Sequence, residues 1–324
     1  MHWLTGKSLM GRGPRPRVKE NTVAAKGGLG TALLAAAALA LGPGCAKVPY
    51  VCGRNHDGPK TLRLAPGEPQ IERGKPLWLL DGLGHYVFSL PSKLLLWNWS
   101  VCNHDIPPEV EAKLERYLAE NNLPNVKVRL NQYSPGGEWR RLVHNKDFNP
   151  FWRYALGVPA WLWYTLFPNR LWAGFPLLGI GDHYNPCTNT IHLYSGHKSI
   201  ALHEAGHAKD FADESSKALY SLLYVLVPGG ALYVEAQATG DAIGYDIAHG
   251  LTDDEKADYR ILYPAYGTYV GGLAGYYLYL PMAIGGHVLG RIKAAEAVSR
   301  PQPQPLAAER PHERRTEWTH RASP

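Results

Sequence analysis

The chain has 324 residues, of which 45% are apolar and only 19% charged, with 10 Trp and 19 Tyr. That length gives room for one sizeable domain or two small ones, and the aromatic content is of the kind that favours membrane interfaces. The net charge of +6 sits at the ends: six Lys/Arg against one Glu in residues 1–26 and seven against four acids in residues 291–324, which leaves about −2 between them. A nucleic-acid-binding surface is therefore not expected.

Arg12, Arg15, Arg17, Lys19 and Lys26 precede GGLGTALLAAAALALGPG, 18 uncharged residues that end in small ones. A charged region followed by an apolar one is the layout of an export signal, here starting at Met1 or Met10. The run ends LGPGCAK, which resembles a bacterial lipoprotein signal and makes Cys45 the residue to be lipidated, with Gly42 where such signals carry a large apolar residue. Cleavage near Ala46 and an uncleaved anchor are the alternatives. Residues 1–45 read as this leader, and the Pro-, Gly- and charge-rich residues 46–75 as a tether. An exported chain permits one disulfide among Cys52, Cys102 and Cys187, leaving one odd cysteine; three buried thiols are the other reading.

The apolar, aromatic stretch 76–99 predicts a core or surface-lying helix broken at Pro91. Asp105 is the expected N-cap of a helix through IPPEVEAKLERYLAENNL, with Val110, Leu114, Tyr117 and Leu118 as its apolar stripe. NVKVRLNQY alternates Val126, Val128 and Leu130 with Lys127, Arg129 and Asn131, the pattern of a half-buried strand. Residues 151–181 hold nine aromatics between Phe151 and Phe175, and Tyr154–Pro168 is uncharged but too short to span a bilayer. It reads as an interfacial or re-entrant hairpin, or else as an apolar core insertion.

A turn at Asn185–Pro186 leads to a strand over Thr188–Ser195, and then to ALHEAGHAKDF, residues 201–211. His203 and His207 are four apart and fall on one side of a helix, with Glu204 beside them. Two imidazoles so placed can share one zinc ion while the carboxylate acts as a general base. Neither Asp210 nor Asp213 supplies the third histidine of an extended motif, and Glu214 points off the same helix. The third ligand is therefore expected from Glu235, in YVEAQATGDAIGY, beyond the two apolar helical pieces of 218–234 that Pro228, Gly229 and Gly230 divide. His183, His192 and His197 are expected in surface or structural posts.

Residues 261–290 carry no Asp, Glu, Lys or Arg, repeat Gly at 267, 271 and 275, and contain Pro281. Both a tilted membrane span and a helical hairpin fit this stretch. Arg291 and Lys293 follow, and residues 291–324 read as a disordered basic tail.

HEAGH, an apolar stretch and then EAQAT together resemble the membrane gluzincins that include the CAAX-prenyl proteases and the bacterial heat-shock membrane proteases. The resemblance covers about residues 105–250, and TNTIHLYS resembles the active-site edge strand of that family. It implies an α+β zincin-like metallopeptidase core over residues 76–260: a small sheet with an edge strand, an HExxH helix and a Glu-ligand helix, with apolar membrane-associated segments. It further implies one Zn²⁺ per chain on His203, His207 and Glu235, with Glu204 activating water. Thr239 stands where the family has Asp, and Asp241 or Asp210 is expected to hold a ligand imidazole instead. Tyr245 and His249 are candidates to stabilise the oxyanion, and an extended peptide is expected to add to the 188–195 strand.

The expected activity is hydrolysis of envelope or membrane-proximal polypeptides by a protein anchored to lipid on the exported side. The alternative is a non-catalytic envelope assembly or scaffold protein with a structural or degenerate metal site. A membrane-embedded hydrolase of lipid-linked substrates is a further one, raised by the aromatic stretch 151–175. The sequence carries no signal for oligomeric state.

Overall fold

Four short strands, β1 (Ile71–Arg73), β2 (Lys127–Leu130), β3 (His183–Asn185) and β4 (Thr190–Leu193), form one mixed sheet in the order β1-β2-β4-β3 in the computed structural model. Residues 47–53, 62–175, 181–227 and 229–300 are described; Cys45, the rest of the expected leader and residues 301–324 lie outside them. β1, β2 and β4 run parallel, with Val128 opposite Ile191, and β3 returns antiparallel with His183 opposite His192. The 188–195 segment is thus not an edge strand. Residues 183–185 fold back along it through the Asn185–Pro186 turn, so β4 lies between β2 and β3, and the edge belongs to β3.

The helices are α1 (Trp78–Leu83), α2 (Leu90–Leu96), α3 (Pro108–Glu120), α4 (Pro135–His144), α5 (Pro150–Leu166) and α6 (Asn169–Trp172) in the first part. The second part holds α7 (Lys198–Asp213), α8 (Lys217–Leu226), α9 (Gly230–Ala248), α10 (Thr252–Ala274) and α11 (Tyr279–Ser299). The fold is α+β. Val128, Leu130, Ile191 and Leu193 on one face of the sheet share a core with Leu114 and Tyr117 of α3 and Leu202 of α7. The expected stripe of α3 is buried as a whole. Its N-cap position is Pro107, not Asp105, because Pro108 already suits the first turn and the helix starts there.

β2 departs from the half-buried reading: all four of its residues are buried. Lys127 and Arg129 point to the other face of the sheet, where α4 and α5 form a second layer. Arg129 Nε donates to Glu138 Oε1 of α4 at 2.8 Å, and the Tyr164 ring of α5 lies 4.9 Å from that of His192. Charges reside there because partners came with them.

The expected tether is partly built into the domain. Tyr50 is in the core, the Lys47 amide bonds the Gly240 carbonyl at 3.1 Å, and residues 71–73 add a strand. Pro91 does not break 76–99; a π-helical turn over Gly84–Phe88 links α1 to α2, and Pro91 sits in the first turn of α2, where its missing N–H is harmless. The aromatic stretch forms one helix, α5, followed by the short α6 rather than a membrane hairpin. α5 is seated on α4 through the Trp161 Nε1 bond to the Pro135 carbonyl at 2.8 Å. Of the two pieces expected in 218–234, α9 is mostly buried while α8 exposes Leu219.

Residues 252–299 form a helical hairpin that shares the main core through Tyr259, Ile261, Leu262 and Tyr263. The break is at Gly275, with φ of 133°, and not at Pro281, which falls in the first turn of α11. A Cβ at Gly271 would stand 2.5 Å from Tyr279 Cα, and one at Gly290 would stand 2.2 Å from the Tyr259 carbonyl oxygen. The small residues therefore set how closely α10 and α11 approach. Among the described residues no helix is long and apolar enough to cross a membrane. Residues 291–299, expected in a disordered tail, continue α11, with Ala294 and Ala297 buried. Cys102 and Cys187 are buried thiols, Cys52 is exposed, and no disulfide joins them.

Candidate metal centre

Helix α7 starts at His197, whose Nδ1 accepts the Ser199 amide at 3.2 Å and so serves as its N-cap. Ala201, Leu202, Ala205 and Ala208 are buried, which fixes the rotation of the helix. Gly206 lets α9 come close: a Cβ there would stand 3.0 Å from the Ala238 carbonyl oxygen. On α9, Glu235, Ala238 and Thr239 share one side at helical spacing, and that side faces the imidazoles.

His203 Nε2 lies 3.0 Å from Glu235 Oε2 and 3.1 Å from His207 Nε2, and His207 Nε2 lies 3.5 Å from the same carboxylate oxygen. Among the described residues this group could hold a metal ion. Burial alone would raise the Glu235 carboxyl, but His207 and His203 outweigh it and hold the acid well below the usual carboxylate range. The carboxylate is thus ionised, as a ligand must be. His203 Nδ1 lies 3.3 Å from the Thr239 hydroxyl; with Nε2 on a metal ion, Nδ1 would carry the proton and donate to that hydroxyl.

The group opens into a cavity of about 810 Å³. Glu204 lines it beside His203 and Glu235; burial, followed by the Glu235 and Asp182 charges, pushes its carboxyl up to about 8 against the opposing effect of His203. A bound cation would draw it back down. Asp182, also in the wall, accepts the Tyr194 and Ser195 amides at 2.6 and 2.9 Å and holds the β4 exit against the site. No lysine or arginine lines the cavity among the described residues. Phenols are among its polar groups: Tyr224 OH donates to Glu235 Oε1 at 3.1 Å, and Tyr269 lines it from α10. The Glu235 charge holds both phenols well above their ordinary range.

Of the residues singled out from the sequence, His203, Glu204, His207 and Glu235 are brought together. The others are not. Asp241, six positions past Glu235, points away from the imidazoles and binds Lys209 Nζ at 2.7 Å and the Tyr117 hydroxyl. Asp210 accepts from Tyr220 OH at 2.9 Å. Tyr245, ten residues or about 15 Å along α9, is packed between the rings of Tyr50 and Tyr117. His249 bonds the Tyr245 carbonyl and Glu120. Thr239, noted in the sequence as a departure from the resembled family, is the residue that contacts His203 in place of Asp241 or Asp210, whereas Tyr224 and Tyr269 come from other helices and had no local signal. His192 and His197 hold structural posts, and His183 stacks on His192 at 4.6 Å.

Comparison of the chain with protein-family models, curated proteins and solved structures finds no match.

Proposed function

We propose that the chain is a zinc-dependent endopeptidase acting on polypeptides of the cell envelope, on the exported side. One observation carries the reading: the three donor atoms lie 3.0–3.5 Å apart, and Glu204 lines the same cavity as His203 and Glu235. Donors 2.0–2.1 Å from a tetrahedral zinc stand roughly 3.3 Å from one another, so the residues fit that ion. Zinc, when bound, supplies Lewis acidity toward a carbonyl and makes water more acidic.

The chain's own residues supply the rest. Glu204 is positioned to take a proton from water in the cavity and pass it to the departing amine. Thr239 orients His203, and Tyr224 braces Glu235. In place of Tyr245 and His249, the cavity-lining phenols Tyr224 and Tyr269 are the proposed donors to developing negative charge. An extended substrate would lie along β3, the strand at the sheet edge, because the Tyr184 backbone bonds Glu204.

Metal content and casein hydrolysis test the reading together. Wild type is expected to bind one zinc and to lose hydrolysis to a chelator. Glu204→Gln should keep the zinc and lose hydrolysis by at least about 100-fold, whereas Glu235→Ala should lose the zinc. Stoichiometric zinc in a wild type without hydrolysis would favour the assembly-protein alternative.

A further inference from the structure

Helix α10 turns two rows of side chains to the cavity. Tyr266, Tyr269 and Leu273 make one, and Ala265, Thr268 and Gly272 the other, each at the three- and four-residue spacing of a helix. The second row is small, and Gly272 ends it. A Cβ at Gly272 would meet nothing within 4 Å, whereas at Gly267 and Gly271 of the same helix it would stand 2.3 and 2.5 Å from backbone atoms of α11. Packing therefore demands glycine at 267 and 271 but not at 272, where alanine would suit the helix better. What the missing side chain leaves at 272 is room in the cavity.

That room adjoins the metal group. The Glu235 charge is the strongest influence on the Tyr269 phenol, one turn before Gly272, and Leu232, one turn before Glu235 on α9, lines the same cavity. Asp182, Glu204 and Glu235 are its acids, and no lysine or arginine lines it among the described residues. An acidic side chain would be buried there beside carboxylates, with no basic side chain to pair with. A lysine or arginine would find Asp182 taken by the Tyr194 and Ser195 amides and Glu235 by the imidazoles. A bulky uncharged side chain, by contrast, gains by leaving water.

We propose that Gly272 opens a subsite beside the metal group for one bulky, uncharged side chain of a polypeptide, and so decides which bonds are presented for cleavage. That bonds are cleaved there rests on the peptidase reading; the room at Gly272 and its preference among side chains do not.

The test uses the full chain carrying Glu204→Gln, so that peptides are bound and not consumed. Capped peptides alike except at one central position, which is Phe, Ala, Glu or Lys, are titrated into it by calorimetry. The Phe peptide should bind at least about 10-fold tighter than the Ala peptide, and the Glu and Lys peptides no tighter than the Ala one. Adding Gly272→Leu should remove the advantage of Phe and leave the Ala peptide as it was; Gly272→Ala should remove part of it. Gly136→Leu, at another glycine with open space before it but outside the cavity, should leave the advantage whole. Equal binding of the Phe and Ala peptides, an advantage of Phe that survives Gly272→Leu, or a loss that strikes all four peptides alike overturns the subsite, and so does the absence of binding. The wild type is then given the same peptides. Preference in binding without any cleavage removes the peptidase reading and leaves the subsite standing, whereas cleavage of all four at equal rates removes the subsite alone.

Discussion

The Oγ1 hydroxyl of Thr239 lies 3.3 Å from Nδ1 of His203, one helical turn beyond Glu235 on the same side of α9. The residue that stands where the resembled family carries an aspartate therefore does make the imidazole contact, as a neutral acceptor. Groups that orient a ligand imidazole typically contribute about 10- to 100-fold in metal affinity. Thr239→Val, which keeps the shape and removes the acceptor, is expected to weaken zinc binding by about that factor. Thr239→Ser should restore most of it. Competition with a chelator of known affinity measures both; equal affinity in all three proteins would show that the contact orients nothing.

A second prediction concerns the far face of the sheet. Burial would raise the Glu138 carboxyl, but His192, Arg129 and the Thr188 hydroxyl hold it well below the usual range. Its folded value is depressed, so the stability it confers is complete above the ordinary Glu range, about 4.3, and is lost as pH falls below it. Glu138→Ala leaves Arg129 buried without its main counter-charge and is expected to cost about 3–5 kcal/mol at neutral pH. The loss should shrink in acid. Urea unfolding at two pH values checks this, and a pH-independent loss would mean that packing, not charge, is what Glu138 contributes.

How far the sequence was legible follows from what each pattern encodes. The spacing of His203 and His207 encodes a shared side of a helix, and the structure brings Glu235 to them, the next Glu beyond Glu214. The alternation in β2 encodes which side chains point which way, but not that α4 and α5 would cover the second face; that depends on Glu138 and Tyr164 returning to it. Tyr224 and Tyr269 share the cavity with Glu235 for the same non-local reason. Gly267 and Gly271 did announce close helix contact, while the position of the hairpin break depended on Gly275, whose backbone conformation an L side chain rarely adopts.

The last prediction lies at the start of α7. Asp246 Oδ2 accepts from Lys113 Nζ at 2.6 Å, and the same ammonium binds Asp254 at 2.9 Å. Asp258 is fully buried and faces Asp246 and Ser199, so one lysine serves more carboxylates than it can neutralise. Burial and the Asp246 charge hold Asp258 well above the usual range, and Asp246 is raised too, by burial against the pull of Lys113. Two acids packed this way keep one proton between them. For an acid raised on folding, the stability it contributes is complete below the unfolded value, about 3.9, and is lost as pH rises through the folded one. Asp258→Asn supplies a permanent donor to Asp246 and removes a titrating group. The variant should therefore gain on wild type as pH rises from about 5 to about 8, by an amount on the order of 1 kcal/mol. His197, Asp254 and Lys198 are the neighbours that could confuse the reading. His197 is brought down to about 4 by burial and Lys113, and so stays neutral across this range; the Lys113 and Lys198 contacts hold Asp254 below the usual range despite burial, so it stays ionised. Thermal unfolding of both proteins across that interval decides it: a gap that stays flat, or one that narrows with rising pH, means the two carboxylates share no proton.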